Sequence, residues 1–193
     1  LDVIAKAARK AIIEMSYRNG AAHIGSALCI MDLLVVLFFR ILNLRPEDPS
    51  WEGRDRFILS KGHGAGALYA ALALRGFFPM EELMGFCKNG GKLHVHPCKN
   101  AVPGIETSTG SLGHGLSVAA GMAVALRGSG QRMYVVIGDG ECNEGTVWEA
   151  ASFIGARKLS NVTVMIDVNH FQGFGTTEEI IPMDLAAQWA ACG

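Results

Sequence analysis

No sign of charge dominates the chain: 17 Lys and Arg against 18 Asp and Glu leave a formal net charge of −1 over 193 residues. That balance removes the electrostatic case for a nucleic-acid partner or an anionic membrane surface. Long apolar runs are missing too. The run over residues 33–39 is preceded by Asp32 and closed by Arg40, too short to cross a bilayer. The first residues alternate Lys6, Arg9 and Lys10 with alanines in an amphipathic pattern, not in the basic region, apolar run and cleavage site of a secretory signal. Metal-type cysteine pairs are absent. Cys29, Cys87, Cys98, Cys142 and Cys192 stand apart, and their odd number suits a reduced compartment better than a disulfide framework. The expectation is a soluble cytoplasmic protein with no zinc site and no nucleic-acid or membrane partner.

What is present is apolar and patterned. Half the residues are hydrophobic and 18% are charged, which fits one α/β domain over residues 1–193 with much of its surface hidden. The organising stretch is residues 134–145, Tyr-Val-Val-Ile-Gly-Asp-Gly-Glu-Cys-Asn-Glu-Gly. Its β-branched start reads as a buried strand, and the alanine-rich residues 146–156 that follow read as a helix. Asp139 falls where the strand stops, between two glycines that let the backbone turn sharply and approach a ligand. Residues 162–167 form a second strand of the same kind, with Asn169 just past its end. If residues 146–156 are the crossover of a right-handed βαβ unit, Asp139 and Asn169 lie at neighbouring strand ends, in the crevice where open α/β sheets bind ligands. A carboxylate oxygen, an amide oxygen and one main-chain carbonyl make half an octahedral shell. Mg²⁺ completes such a shell with phosphate and water oxygens at roughly 2.0–2.1 Å. The helix start at residues 143–146 adds unpaired N–H groups and a positive dipole end for the phosphates.

The rest of the chain repeats this logic. Residues 2–17 read as a helix with Val3, Ile4, Ala7, Ala8, Ala11, Ile12 and Met15 on one face. A small-residue turn carrying His23 precedes a second helix over about residues 28–42. A strand from Asp55, the turn Gly62-His63-Gly64 and a helix over residues 65–75 come next. Residues 79–88 look like a short helix before His94-Val95-His96-Pro97. Two histidines at i and i+2 suggest a metal, yet no third ligand is near. A glycine-rich loop, Thr109-Gly-Ser-Leu-Gly-His-Gly115, leads into a helix over residues 116–126, and a last helix spans residues 184–191. Read alone, His23 fits a structural role, as a helix cap or core histidine, as well as it fits a functional one, and Gly-His-Gly fits a plain turn.

Gly138-Asp139-Gly140, followed by 28 residues and then Asn169, resembles the thiamine diphosphate signature. The fuller string through Glu144-Gly-Thr-Val-Trp-Glu-Ala-Ala resembles the transketolase version in particular, as do Asp55-Arg-Phe-Ile-Leu-Ser-Lys-Gly-His63 and Thr176-Thr-Glu-Glu. The resemblance covers nearly all of the chain, from His23 to that last segment. It implies an α/β fold, a three-layer α/β/α arrangement around a mostly parallel sheet. It also implies thiamine diphosphate with Mg²⁺ (or Ca²⁺ or Mn²⁺) as cofactors, the cation held by Asp139, Asn169 and the main-chain oxygen of Phe171. By the same resemblance His63 and Gly140 meet the diphosphate, while Gly110 and Leu112 meet the aminopyrimidine ring. His23, His63 and His96 would face the sugar, and Glu144 would sit at a dimer interface linking two cofactor sites through carboxylates. The family has a glycine before its His-Pro, where this chain has Val95, which keeps His94 as the alternative to His96, and a glutamine where it has His114.

Nothing here corresponds to the family's pyrimidine-binding domain, to the glutamate in it that protonates the cofactor, or to the phosphate-clamping arginines. The implied protein is the amino-terminal subunit of a split transketolase, short of the domain's usual carboxyl end. A separate carboxy-terminal chain would complete an α2β2 heterotetramer that moves a two-carbon ketol unit from a ketose phosphate to an aldose. Two other readings compete. One is part of a thiamine enzyme that takes a pyruvate-type donor, against which the Glu144 string and His96-Pro97 stand. The other is a nicotinamide-binding loop at residues 109–115, against which the polar residues 106–108 and the lack of any Tyr-x-x-x-Lys stand.

Overall fold

A computed structural model describes residues 1–193. The chain divides into two compact units: residues 1–55 with 62–110, and residues 56–61 with 111–193. The first is helical. Helix α1 (Asp2–Asn19) ends on Gly20, whose left-handed φ of 61° lets its N–H close on Ser16 O. Its buried stripe is Ala5, Ala8, Ala11, Ile12, Met15 and Ser16. Val3, expected on that stripe, is 81% exposed. It lies nine residues from Ile12, and at 100° per residue that is half a revolution away.

The single helix expected over residues 28–42 is instead α2 (Ile24–Cys29), a break at Ile30, α3 (Met31–Val36) and one π-turn, Leu37–Ile41. It starts earlier because the Ala27 N–H reaches His23 O at 3.2 Å, closing a helical turn that the small residues had disguised as a loop. The π-turn is closed by Leu42 N–H on Leu37 O and keeps both Leu37 and Phe38 buried. Helix α4 (Ala65–Arg75) packs on α1, α2 and α3, and its residues 65–73 are all buried. Those residues are alanine, glycine, leucine and one tyrosine, so the helix is apolar all round and suited to an interior. A Cβ on Gly66 would come within 3.0 Å of the Met15 Cε, so this glycine sets how near α4 comes to α1. The short helix expected over residues 79–88 is a 3₁₀ helix, Met80–Gly85.

The second unit holds the sheet. Strands β1 (Arg56–Leu59), β2 (Met133–Gly138) and β3 (Val162–Asp167) run parallel in the order β1-β2-β3. Central β2 is buried at all six positions, as the continuous apolar run required. Helix α5 (His114–Ala125) lies on all three strands and against α6 (Gly145–Ala156), the crossover from β2 to β3. The register pairs Gly138 with Asp167, so both strands end level, and the residues just past them emerge together. After β3 a small antiparallel ladder, β4 (Phe171–Gln172) with β5 (Gly175–Thr176), precedes two short helices, α7 (Thr177–Ile180) and α8 (Leu185–Ala191). The first is opened by a capping box in which Thr176 and Glu179 satisfy each other's backbone N–H groups. No helix is long and apolar enough to cross a membrane.

Candidate functional site

In the sheet-bearing unit, Asp139 leaves β2 and is 4% exposed. Its Oδ1 accepts from Gly140 N–H at 2.9 Å and its Oδ2 from His170 N–H at 2.7 Å. Its own N–H donates to Asp167 O at 3.1 Å. The carboxylate is thus bonded to the segment that carries Asn169. His170 adopts a left-handed φ of 65°, and its neighbour Asn169 accepts from Phe171 N–H at 3.0 Å through Oδ1. Asp139 is joined by hydrogen bonds to the backbone on either side of Asn169, at Asp167 and His170, where the two strands end level. A carboxylate or amide oxygen that accepts one hydrogen bond keeps lone-pair capacity for a second partner.

Around the turn, two side-chain polar groups are buried without a partner: Gln172 Nε2 and Thr146 Oγ1. A Cβ on Gly140 would strike the Gln172 Cβ at 2.7 Å, and one on Gly113 would strike Thr146 Oγ1 at 2.2 Å. Hard oxygens on Asp139 and Asn169, two orphaned polar groups and glycines that admit close approach fit a divalent cation carrying a phosphorylated ligand. Between β2 and α6 the chain makes a 3₁₀ turn, Gly140–Asn143, and Glu144 caps α6 with an exposed side chain and no side-chain cap bond. Leu112, expected on the cofactor, is half-buried before α5.

Three charged residues missing from the sequence-based site hold this turn together. Glu141 is 2% exposed. Its Oε1 accepts from Ser60 Oγ at 2.5 Å and from Gly113 N–H at 2.7 Å, and its Oε2 from Gly138 N–H at 3.2 Å. Burial raises its pKa against the lowering effect of those donors and of Lys61. Lys61, fully buried at the end of β1, donates to Asp167 Oδ2 at 2.6 Å. Asn169 Nδ2 donates to that same oxygen at 2.8 Å. The available signal was a charge closing each of two apolar strand runs, since a buried lysine demands a carboxylate.

In the helical unit, three of the expected imidazoles cluster. The His23 ring lies 5.5 Å from that of His63 and 5.9 Å from that of His96. Each is delivered by a strained or tight turn: His23 at a left-handed φ of 67°, His63 in the 3₁₀ turn Gly62–Gly64, and His96 on a strap whose His94 and His96 carbonyls accept from Tyr69 Oη at 3.1 and 3.4 Å. Gly110, at φ 139°, rests on the His96 ring, where a Cβ would sit 3.0 Å away. Burial first, and then the charge of His23, pull the His96 pKa below its ordinary value. His94 is exposed and lines an open groove with Lys92, Cys98, Lys99 and Asn100. Imidazoles at such close quarters suit hydrogen bonding to ligand hydroxyls and proton exchange with them.

A parallel sheet whose carboxyl edge gathers hard oxygen donors and unpartnered polar groups defines a ligand-binding α/β domain of the cofactor-holding class. Residues 2–193 match the family described as transketolase, thiamine diphosphate binding domain. The chain belongs to that family. It is 44% identical over 188 residues to the 6-deoxy-6-sulfo-D-fructose transketolase subunit of Clostridium sp., covering 96% of this chain and 68% of the relative. It is 42% identical over 197 residues to an apulose-4-phosphate transketolase subunit of Actinobacillus succinogenes, covering 100% of this chain and 71% of the relative. The solved transketolase of Campylobacter jejuni superposes with a TM-score of 0.92 at 30% identity, over 98% of this chain. The chain spans only 31% of that protein's length.

Proposed function

We propose that this chain is the amino-terminal, thiamine diphosphate-binding subunit of a split transketolase. The observation that carries the proposal is the junction of Asp139 and Asn169 at level ends of β2 and β3, bonded through His170 N–H. In this reading Asp139, Asn169 and the main-chain oxygen of Phe171 hold Mg²⁺, and the Gly140 turn receives the diphosphate. When bound, thiamine diphosphate supplies a nucleophilic carbon and an electron sink for a two-carbon fragment. The chain's own residues bind and orient. Thr146 Oγ1 and Gln172 Nε2 acquire the partners they lack, Gly110 and Leu112 give apolar contact, and His23, His63 and His96 exchange protons with hydroxyls of a ketose donor and an aldose acceptor.

Two of the relatives are named as transketolase subunits, and the chain covers about a third of a solved one. That supports a second polypeptide bearing the pyrimidine-binding domain and its glutamate, joined in an α2β2 assembly with Glu144 at the seam. Five free cysteines support a reducing, cytoplasmic setting. Calorimetric titration of the chain with Mg²⁺ and thiamine diphosphate tests the binding. Ketol transfer assayed with and without the co-purified partner tests the division of labour. The chain alone is expected to turn over no ketose, and robust activity of this polypeptide by itself would refute the split.

A further inference from the structure

An asparagine that binds a cation must present its oxygen, and the two ends of the amide are nearly the same size. Only hydrogen bonds of fixed polarity can choose between them. We propose that Asp167 and Lys61 are positioning residues that make this choice for Asn169. The inference rests on the metal role proposed for Asp139 and Asn169.

Asp167 Oδ2 accepts from Asn169 Nδ2 at 2.8 Å, and a carboxylate oxygen can receive only the NH₂ end. Phe171 N–H donates to Asn169 Oδ1 at 3.0 Å, and an N–H can meet only the oxygen end. A flipped amide would set oxygen against carboxylate and NH₂ against N–H, losing two bonds and gaining two repulsions. Asp167 is itself fixed. Lys61, with a side chain 0% exposed, grips the same Oδ2 at 2.6 Å across 106 residues of sequence. The main-chain oxygen of Asp167 also accepts from Asp139 N–H at 3.1 Å, so one residue at the end of β3 is bonded to both proposed ligands. Groups that orient metal ligands in this way typically change metal affinity by about 10–100-fold when removed.

A merely structural ion pair makes a different prediction. Replacing both members by apolar residues of similar size leaves neither of the pair charged without the other and is often neutral or stabilising, although it also takes the Lys61 charge away from buried Glu141. The test is therefore Lys61→Met with Asp167→Leu in one chain, beside Asn169→Ala and Asp139→Ala. Mn²⁺ is the probe, titrated by electron paramagnetic resonance at saturating thiamine diphosphate. The metal-free melting temperature and the ¹⁵N side-chain amide signal of Asn169 are recorded in parallel. Measured well below its own melting temperature, the double variant should bind Mn²⁺ about 10–100-fold more weakly and show a shifted or broadened Asn169 amide signal even without metal. Parental Mn²⁺ affinity in the double variant, with affinity lost in Asn169→Ala, overturns the positioning role alone, as does an unmoved Asn169 amide signal. Parental affinity in Asn169→Ala and Asp139→Ala overturns the metal site and the positioning role with it.

Discussion

His96 and Cys142 show what burial does to a titratable side chain in this molecule. Burial, then His23, pulls the His96 pKa below the ordinary 6.5, so the native chain releases that proton sooner than the unfolded chain as pH rises. Between the lowered value and 6.5 the unfolded state holds more protons, and stability contributed by this group rises with pH across that window and is level above it. Urea unfolding from about pH 5 to 7.5 should show the parent gaining more stability than His96→Gln over the acid half of the range. Cys142 is 0% exposed, and burial pushes its thiol up to about 12. The thiolate is the reactive form. Maleimide at neutral pH, read by peptide mass, should therefore leave Cys142 unmodified in the native chain and label it in urea. Asp139, Asn169, His23 and His63 could be singled out from sequence because each sits in a turn next to a strand or helix end, whereas His96 had only its His-Pro pair to mark it. Lys61, Asp167 and Glu141 could not be. Lys61 and Asp167 meet across 106 residues, and Glu141 meets Ser60 across 81, so only the folded sheet reveals them.

At the scale of elements, two glycines of the α5 region are expected to behave in opposite ways. Gly113, just before the helix, has a φ of 81° and no room for a Cβ beside Thr146 and Glu144. Gly113→Ala should cost at least about 1–2 kcal/mol from the left-handed backbone alone, before any displacement of Thr146. Gly121, inside the helix, would place a Cβ in open space. Gly121→Ala should stabilise by about 0.5–1 kcal/mol, and denaturant midpoints of the two variants report both signs. The apolar strands and the helices over residues 65–75 and 146–156 were legible within a residue, since period and composition agree there. The stretch from Ile24 to Ile41 was not, because no residue type marks the kink at Ile30 or the π-turn after Val36.

For the whole molecule, the α/β class and parallel sheet followed from the apolar runs of β1, β2 and β3. The division into two units did not, since the chain passes between them at residues 55–56, 61–62 and 110–111 with no linker composition to mark it. A ligand that binds only the native state at a hundredfold its Kd stabilises by about 2.7 kcal/mol. Mg²⁺ with thiamine diphosphate at that excess should raise the melting temperature by about 5–10 °C, and chelation should reverse the shift.

The parallel pairing also dictates an order of events during synthesis. Arg56 opposes Met133, so β1 leaves the ribosome 77 residues (133 − 56) ahead of the strand it must join, whereas β2, α6 and β3 are consecutive. At roughly 5–20 residues per second β1 waits about 4–15 s with its hydrogen-bonding edge unmet. A nascent-chain pause placed before residue 133 should therefore expose Phe57 to Leu59 to chaperone capture, while one placed after residue 167 should not.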